Sequence, residues 1–109
     1  MVSVVVKKNR KKEYVGFTCN GHAGFDEYGK DIVCAALSML VINTVNSIDA
    51  LTDCRVSVTT DETEGKIEVT FPDGASKEAV LLTDAMLLGI QGVIEEYGKK
   101  YASLTFKEV

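Results

Sequence analysis

The sequence predicts a two-layer α+β sandwich, a mostly antiparallel five-stranded sheet with two helices on one face, in the order β-β-α-β-β-α-β. Three observations predict it. Five short segments alternate apolar with polar residues, the period of a half-buried strand. Two longer stretches repeat apolar residues every three or four positions, the period of an amphipathic helix. Turn-forming residues join the first four strands as two hairpins, each followed by a helix, and an antiparallel sheet with one buried face fits that pattern.

Taken in order, Val2, Val4 and Val6 alternate with Ser3, Val5 and Lys7 as a first strand. The run Lys7 to Lys12, with Asn9 inside it, is a solvated hairpin turn. Val15, Phe17 and Cys19 alternate with Tyr14, Gly16 and Thr18 as the second strand, antiparallel to the first. Residues 20–31, with three glycines and two aspartates, form an irregular loop. From Ile32 to about Leu51 a helix is expected, with Val33, Leu37, Leu40, Val41, Val45 and Ile48 as its apolar stripe and Asp31 as its N-cap. Cys54 to Thr60 then buries Val56 and Val58, and Glu64 to Phe71 buries Ile67, Val69 and Phe71, with a turn over Asp61 to Gly65. A second helix is expected from Ser76 to Gly98, with Gly98 as C-cap and a stripe of Ala79, Leu82, Met86, Ile90, Val93 and Tyr97. Leu81 and Leu88 fall off that stripe and suit a partner or a second copy of the chain. Leu104 and Phe106 belong to the last strand. Strand order is not legible.

At 109 residues, with 46% apolar and 26% charged residues, residues 1–109 read as a single domain able to bury a core without staples. The longest apolar run, Ile32 to Leu37, is far short of a membrane span, and no targeting leader opens the chain. A cytoplasmic protein with no membrane association is expected. A net charge of −4 disfavours nucleic-acid binding, and no direct nucleic acid is required. Three cysteines in a leaderless chain argue for reduced thiols.

The chemistry concentrates in the loop and the helix start after it. The loop holds His22, the one histidine, and Cys34 follows at the third or fourth position of the expected helix. These are the parts of a thiol nucleophile with an imidazole base. A helix N-terminus favours the thiolate, and its free amides can hold an oxyanion. The plainer alternative is a core cysteine and an exposed histidine, and the spacing alone leaves both open. A zinc site built from Cys19, His22, Cys34 and Cys54 fails on reach, because Cys34 and Cys54 bracket a helix about 30 Å long. Cys19 reads as core and Cys54 as structural; neither metal nor cofactor is expected. Ser38, four residues after Cys34, lies on the same helix face.

The stretch GHAGFDEYGKDIVCAALSML resembles the ribosomal-processing cysteine protease Prp family, also called the YsxB-like family. The likeness rests on Gly21-His22, a glycine-containing loop over 23–30, Asp31-Ile32-Val33-Cys34-Ala35-Ala36 and Ser38, and extends to the element order. It implies a cysteine endopeptidase with a His-Cys dyad. The implied activity removes the short N-terminal extension of ribosomal protein twenty-seven of the large subunit during ribosome maturation. It implies Cys34 as nucleophile, His22 as general base and acid, and Asp31, Ser38 and Gly21 as supporting residues. The loop becomes a lid, with Gly24 and Gly29 as hinges and Phe25 and Tyr28 as substrate contacts. A homodimer is implied as well. The alternative function is a non-enzymatic ribosome-associated binding module that uses the basic hairpin.

Overall fold

The structure, a computed structural model, describes residues 1–21, 28–97 and 99–109, with the backbone alone for 28–31. Its elements are β1 (Val2–Lys8), β2 (Tyr14–Asn20), α1 (Tyr28–Leu51), β3 (Ser57–Asp61), β4 (Lys66–Thr70), α2 (Lys77–Tyr97) and β5 (Ala102–Glu108). The expected order of elements holds. The five strands form one sheet in the order β3-β4-β2-β1-β5. Three of its pairings are antiparallel, and β1 with β5 is parallel.

One sheet face carries Val2, Val4 and Val6 of β1 beside Phe17 and Cys19 of β2 and Val69 of β4, all buried. The helices close this face with Val33, Leu37, Val41, Val45 and Ile48 from α1 and Ala79, Met86, Leu87 and Ile90 from α2. Phe17 and Phe71 meet edge to face, with ring centroids 6.1 Å apart. The helices approach closely where Gly89 leaves room for Leu40; a Cβ on Gly89 would come within 3.0 Å of Leu40 Cδ2. Over Ile32–Leu51, α1 is long and apolar enough by composition to cross a membrane, and here its apolar stripe covers the sheet.

Both hairpin turns are organised by side chains that accept backbone hydrogen bonds. Asn9 Oδ1 accepts from the amides of Lys11 and Glu13 at 2.9 and 3.0 Å. Asp61 Oδ1 accepts from the amides of Thr63 and Glu64 at 3.0 and 3.3 Å, and Gly65 takes the positive φ of 65° that closes this turn. Ser76 caps α2 through an Oγ that accepts from the Ala79 amide at 3.1 Å.

The structure corrects three expectations. α1 begins at Tyr28, so Asp31 is its fourth residue and not the N-cap, and the preceding loop is shorter than expected. β3 begins at Ser57, and every residue in it is exposed, Val58 included. It is the edge strand beyond the helical layer, and alternation marks a face without saying that anything covers it. Tyr97 is exposed at the end of α2, whereas the unexpected Thr83 is fully buried. Gly98, expected to cap α2, lies outside the described residues.

Candidate active site

The site is built on one flank of α1. Cys34, Ser38 and Ile42 follow one another at four-residue intervals, which places them in a row along the helix. All three line a cavity of about 310 Å³. The opposite wall is the β3–β4 hairpin, with Thr60, Asp61, Glu62, Gly65, Lys66 and Ile67, and Gly21 at the end of β2 closes one side. The Gly21 amide donates to the Gly65 carbonyl at 3.1 Å, which ties this end of β2 to the hairpin turn. No larger residue fits there, because a Cβ on Gly21 would come within 2.9 Å of the Val2 Cα.

Three of the sequence-predicted residues, Cys34, Ser38 and Gly21, therefore meet at one cavity. Tyr28, Gly29 and Asp31 have helical backbones in the first turns of α1, and their side chains lie outside the description. His22, Gly24 and Phe25 lie outside the described residues, as do residues 23–27 of the lid expected over 23–30, whose residues 28–30 are helical and belong to α1 instead. His22 follows Gly21 directly in the chain.

The three thiols occupy different surroundings. Cys34 is only 4% exposed, yet it is the cysteine among the described residues that lines a cavity. Cys19 sits on β2 beside Ile67, a residue of the cavity wall, but is itself sealed in the core. Burial, and secondarily the nearby Cys34, push its thiol up to about 11, so it stays protonated at neutral pH. Cys54 is half-buried, with its Sγ 3.6 Å from the carbonyls of both Arg55 and Gly74, a structural tie between two loops. Among the described residues no three His, Cys, Asp or Glu side chains converge as metal ligands would.

One expectation about the chemistry is corrected. Cys34 is the seventh residue of α1, not the third or fourth. An amide at that depth donates to the carbonyl four residues back, so it is not free to hold an oxyanion. The helix dipole also fades beyond the first turn, leaving activation of the sulfur to neighbouring side chains.

Sequence reasoning missed the hairpin wall and Ile42. Ile42 continues the row from Cys34 through Ser38 and was reachable by spacing. The wall residues carry no local signal, because they reach the site only through the pairing of β3, β4 and β2. A second cavity of about 280 Å³ continues the first, sharing Ile42, Thr60 and Ile67 and adding Val45, Asn46 and Val58. The two form one groove with an apolar far end.

Comparison with known proteins meets this geometry. Residues 1–102 match the family model described as Cysteine protease Prp. The ribosomal processing cysteine protease Prp of Staphylococcus aureus (strain Mu50) is 33% identical over 99 residues, covering 91% of this chain and 93% of the relative. The crystal structure of the S. aureus protease with a substrate peptide is similar to this one with a TM-score of 0.89 at 32% identity, covering 98% of this chain and 100% of that one. The S. aureus structure with a covalently linked product peptide gives a TM-score of 0.85 at 33% identity, over 98% of this chain and 100% of that one. A cavity-lining cysteine on the first helix, in a chain matched over nearly its whole length, places this protein in the cysteine protease family Prp.

Proposed function

We propose that this chain is a cytoplasmic endopeptidase that removes the N-terminal extension of ribosomal protein twenty-seven of the large subunit, using Cys34 and His22 as a dyad and working as a homodimer. The observation that carries the reading is the position of Cys34, lining one end of a groove whose other end is apolar. Crystals of the S. aureus relative hold a substrate peptide and a covalently linked product peptide, which suits a nucleophile of this kind.

The groove follows α1 from Cys34 to Val45 and Asn46, about 17 Å at 1.5 Å per residue. An extended peptide at about 3.3 Å per residue fits about five residues into that length. Ile42, Val45, Val58 and Ile67 supply apolar contacts for side chains on one side of the cut.

His22 takes the proton of the Cys34 thiol. The sulfur attacks the scissile carbonyl, forming a C–S bond and a tetrahedral oxyanion. The Ser38 hydroxyl, on the same cavity wall, donates to that oxyanion. Collapse breaks the C–N bond, and the imidazolium gives its proton to the leaving amine. Water, deprotonated by His22, then cleaves the thioester and returns the free thiol and a carboxylate.

The test is cleavage of a peptide spanning the extension junction. Cys34→Ala is expected to lower kcat by about 10⁴-fold or more, His22→Ala comparably, and Ser38→Ala by about 100-fold. Alkylation at neutral pH should reach Cys34 before Cys19 and Cys54 and lose that preference in His22→Ala. Cleavage by Cys34→Ala at the unmodified protein's rate overturns the assignment.

A further inference from the structure

We propose that the β1–β2 hairpin is a docking surface for the sugar-phosphate backbone of RNA; the choice of RNA among polyanions rests on the ribosomal substrate proposed above. The net charge of −4 conceals a segregation of charge. Five of the twelve basic residues, Lys7, Lys8, Arg10, Lys11 and Lys12, fall within one turn and the strand end before it. Lys107 joins them, beside Lys7 in the parallel register of β1 with β5. The β3–β4 turn instead carries Asp61, Glu62 and Glu64, all exposed. The two turns stand at opposite ends of the sheet, because Lys8 pairs with Tyr14 at one end of β2 and Lys66 pairs with Asn20 at the other. About 20 Å of strand separates them. A polyanion is therefore steered to the basic turn and away from the acidic one. The cavity lined by Cys34 is at the acidic end, beside Gly21 and Glu62, so RNA held at the basic turn leaves the groove open.

The tip cations are free to meet phosphate. Arg10, Lys11 and Lys12 are exposed, and among the described residues their side chains make no ion pair or hydrogen bond. Lys7 lies 3.6 Å from Glu68, and the Lys8 ammonium stands 5.1 and 5.0 Å from the ring centres of Tyr14 and Phe106. Glu13 and Asp84 line a cavity with Lys8 and Lys12, and both carboxylates are engaged: Glu13 accepts from Asn9 Nδ2 at 3.0 Å, Asp84 from the Tyr14 hydroxyl. The turn is also fixed in shape. Asn9 Oδ1 holds the amides of Lys11 and Glu13, and the Asn9 carbonyl accepts from the Lys12 amide at 2.9 Å. Lys12 has a φ of 64°, which glycine adopts freely and a residue with a Cβ adopts at a cost. A cation thus stands where glycine would suit the backbone better, and its charge is the gain that offsets the strain. Residues 9–12 hold no aromatic side chain on which a base could stack, so the surface grips phosphates and reads no sequence.

Fluorescence anisotropy of a labelled single-stranded RNA of about 20 nucleotides, titrated with the full chain to about 100 µM in about 20 mM salt, tests the proposal. Binding is expected, and its log K should fall against log salt with a slope of about −2, as for three phosphate contacts on a single strand. The triple variant Arg10→Glu, Lys11→Glu, Lys12→Glu is expected to bind about 100-fold more weakly and to cleave the extension peptide at the unmodified rate. Lys12→Gly relieves the turn, so its thermal midpoint should not fall, yet it is expected to weaken binding about fivefold and to flatten the slope by about 0.7. Lys99→Glu lies at the other end of the sheet, where the Tyr101 carbonyl accepts from the Val2 amide, and should leave binding unchanged. Absence of binding, binding unaltered in the triple variant, or binding lost equally in Lys99→Glu overturns the proposal. Tighter binding to poly-glutamate of matched charge gives the surface to an acidic protein and overturns it too. A chain that binds RNA as expected but leaves the extension peptide uncut defeats the proposed function and not this surface; one that cuts the peptide but binds no RNA defeats this surface alone.

Discussion

Tyr14 shows how one side chain ties the two layers together. Its hydroxyl donates to Asp84 Oδ1 on α2, and the Lys8 ammonium lies 5.1 Å from the centre of its ring. Burial first, then the hydrogen bond to Asp84 and that carboxylate's charge, push the phenol from its ordinary 10.0 to about 12. An unfolded chain gives up this proton more readily than the folded one. The stability it contributes is therefore complete below pH 10 and is lost as pH rises through about 12. Tyr14→Phe is expected to flatten that part of the stability curve, as read from denaturant unfolding at a series of alkaline pH values. Other groups titrating near pH 10 keep their slope in both proteins. At the active site, the same scale explains what was legible: Cys34 and Ser38 share a helix face by spacing alone, so their meeting at one cavity needed no knowledge of the fold.

Among the elements, α2 was read most fully from sequence and yet carries a polar group that the apolar pattern hid. Thr83 is fully buried, and its hydroxyl has no hydrogen-bond partner among the described residues. A valine of the same shape removes the unmet polar atom. Thr83→Val is expected to stabilise the fold by about 1 kcal/mol, raising the thermal midpoint by a few degrees in a calorimetric or circular-dichroism melt. β1 and β2 were legible because alternating valines and Phe17-Cys19 face a covered side of the sheet. β3 was not, because burial of Val58 depends on which strand ends the sheet, and pairing order is set by contacts far apart in sequence. The start of α1 was misplaced because glycine at position 29 reads as a break, while the chain continues helical from Tyr28. That single turn moves Cys34 away from the free amides on which the sequence-based oxyanion argument leaned.

For the molecule as a whole, the decisive pairing is the parallel one between β1 and β5, which runs in unbroken register from Val2 with Ala102 to Lys8 with Glu108. The family match reaches residue 102, where β5 begins, yet without β5 the valines of β1 lose a neighbour along their whole length. A chain ending at Tyr101 is expected to lose its cooperative thermal transition, because one side of a central strand would be left unpaired. Far-ultraviolet circular dichroism and a melt of the shortened chain check this.

The same pairing has a consequence for biosynthesis. In translation β1 waits for β5, about a hundred residues later, before its second side is filled. While the ribosomal exit tunnel still encloses β5, the nascent sheet stays open beside β1. The finished sheet closes only once β5 has emerged from the tunnel.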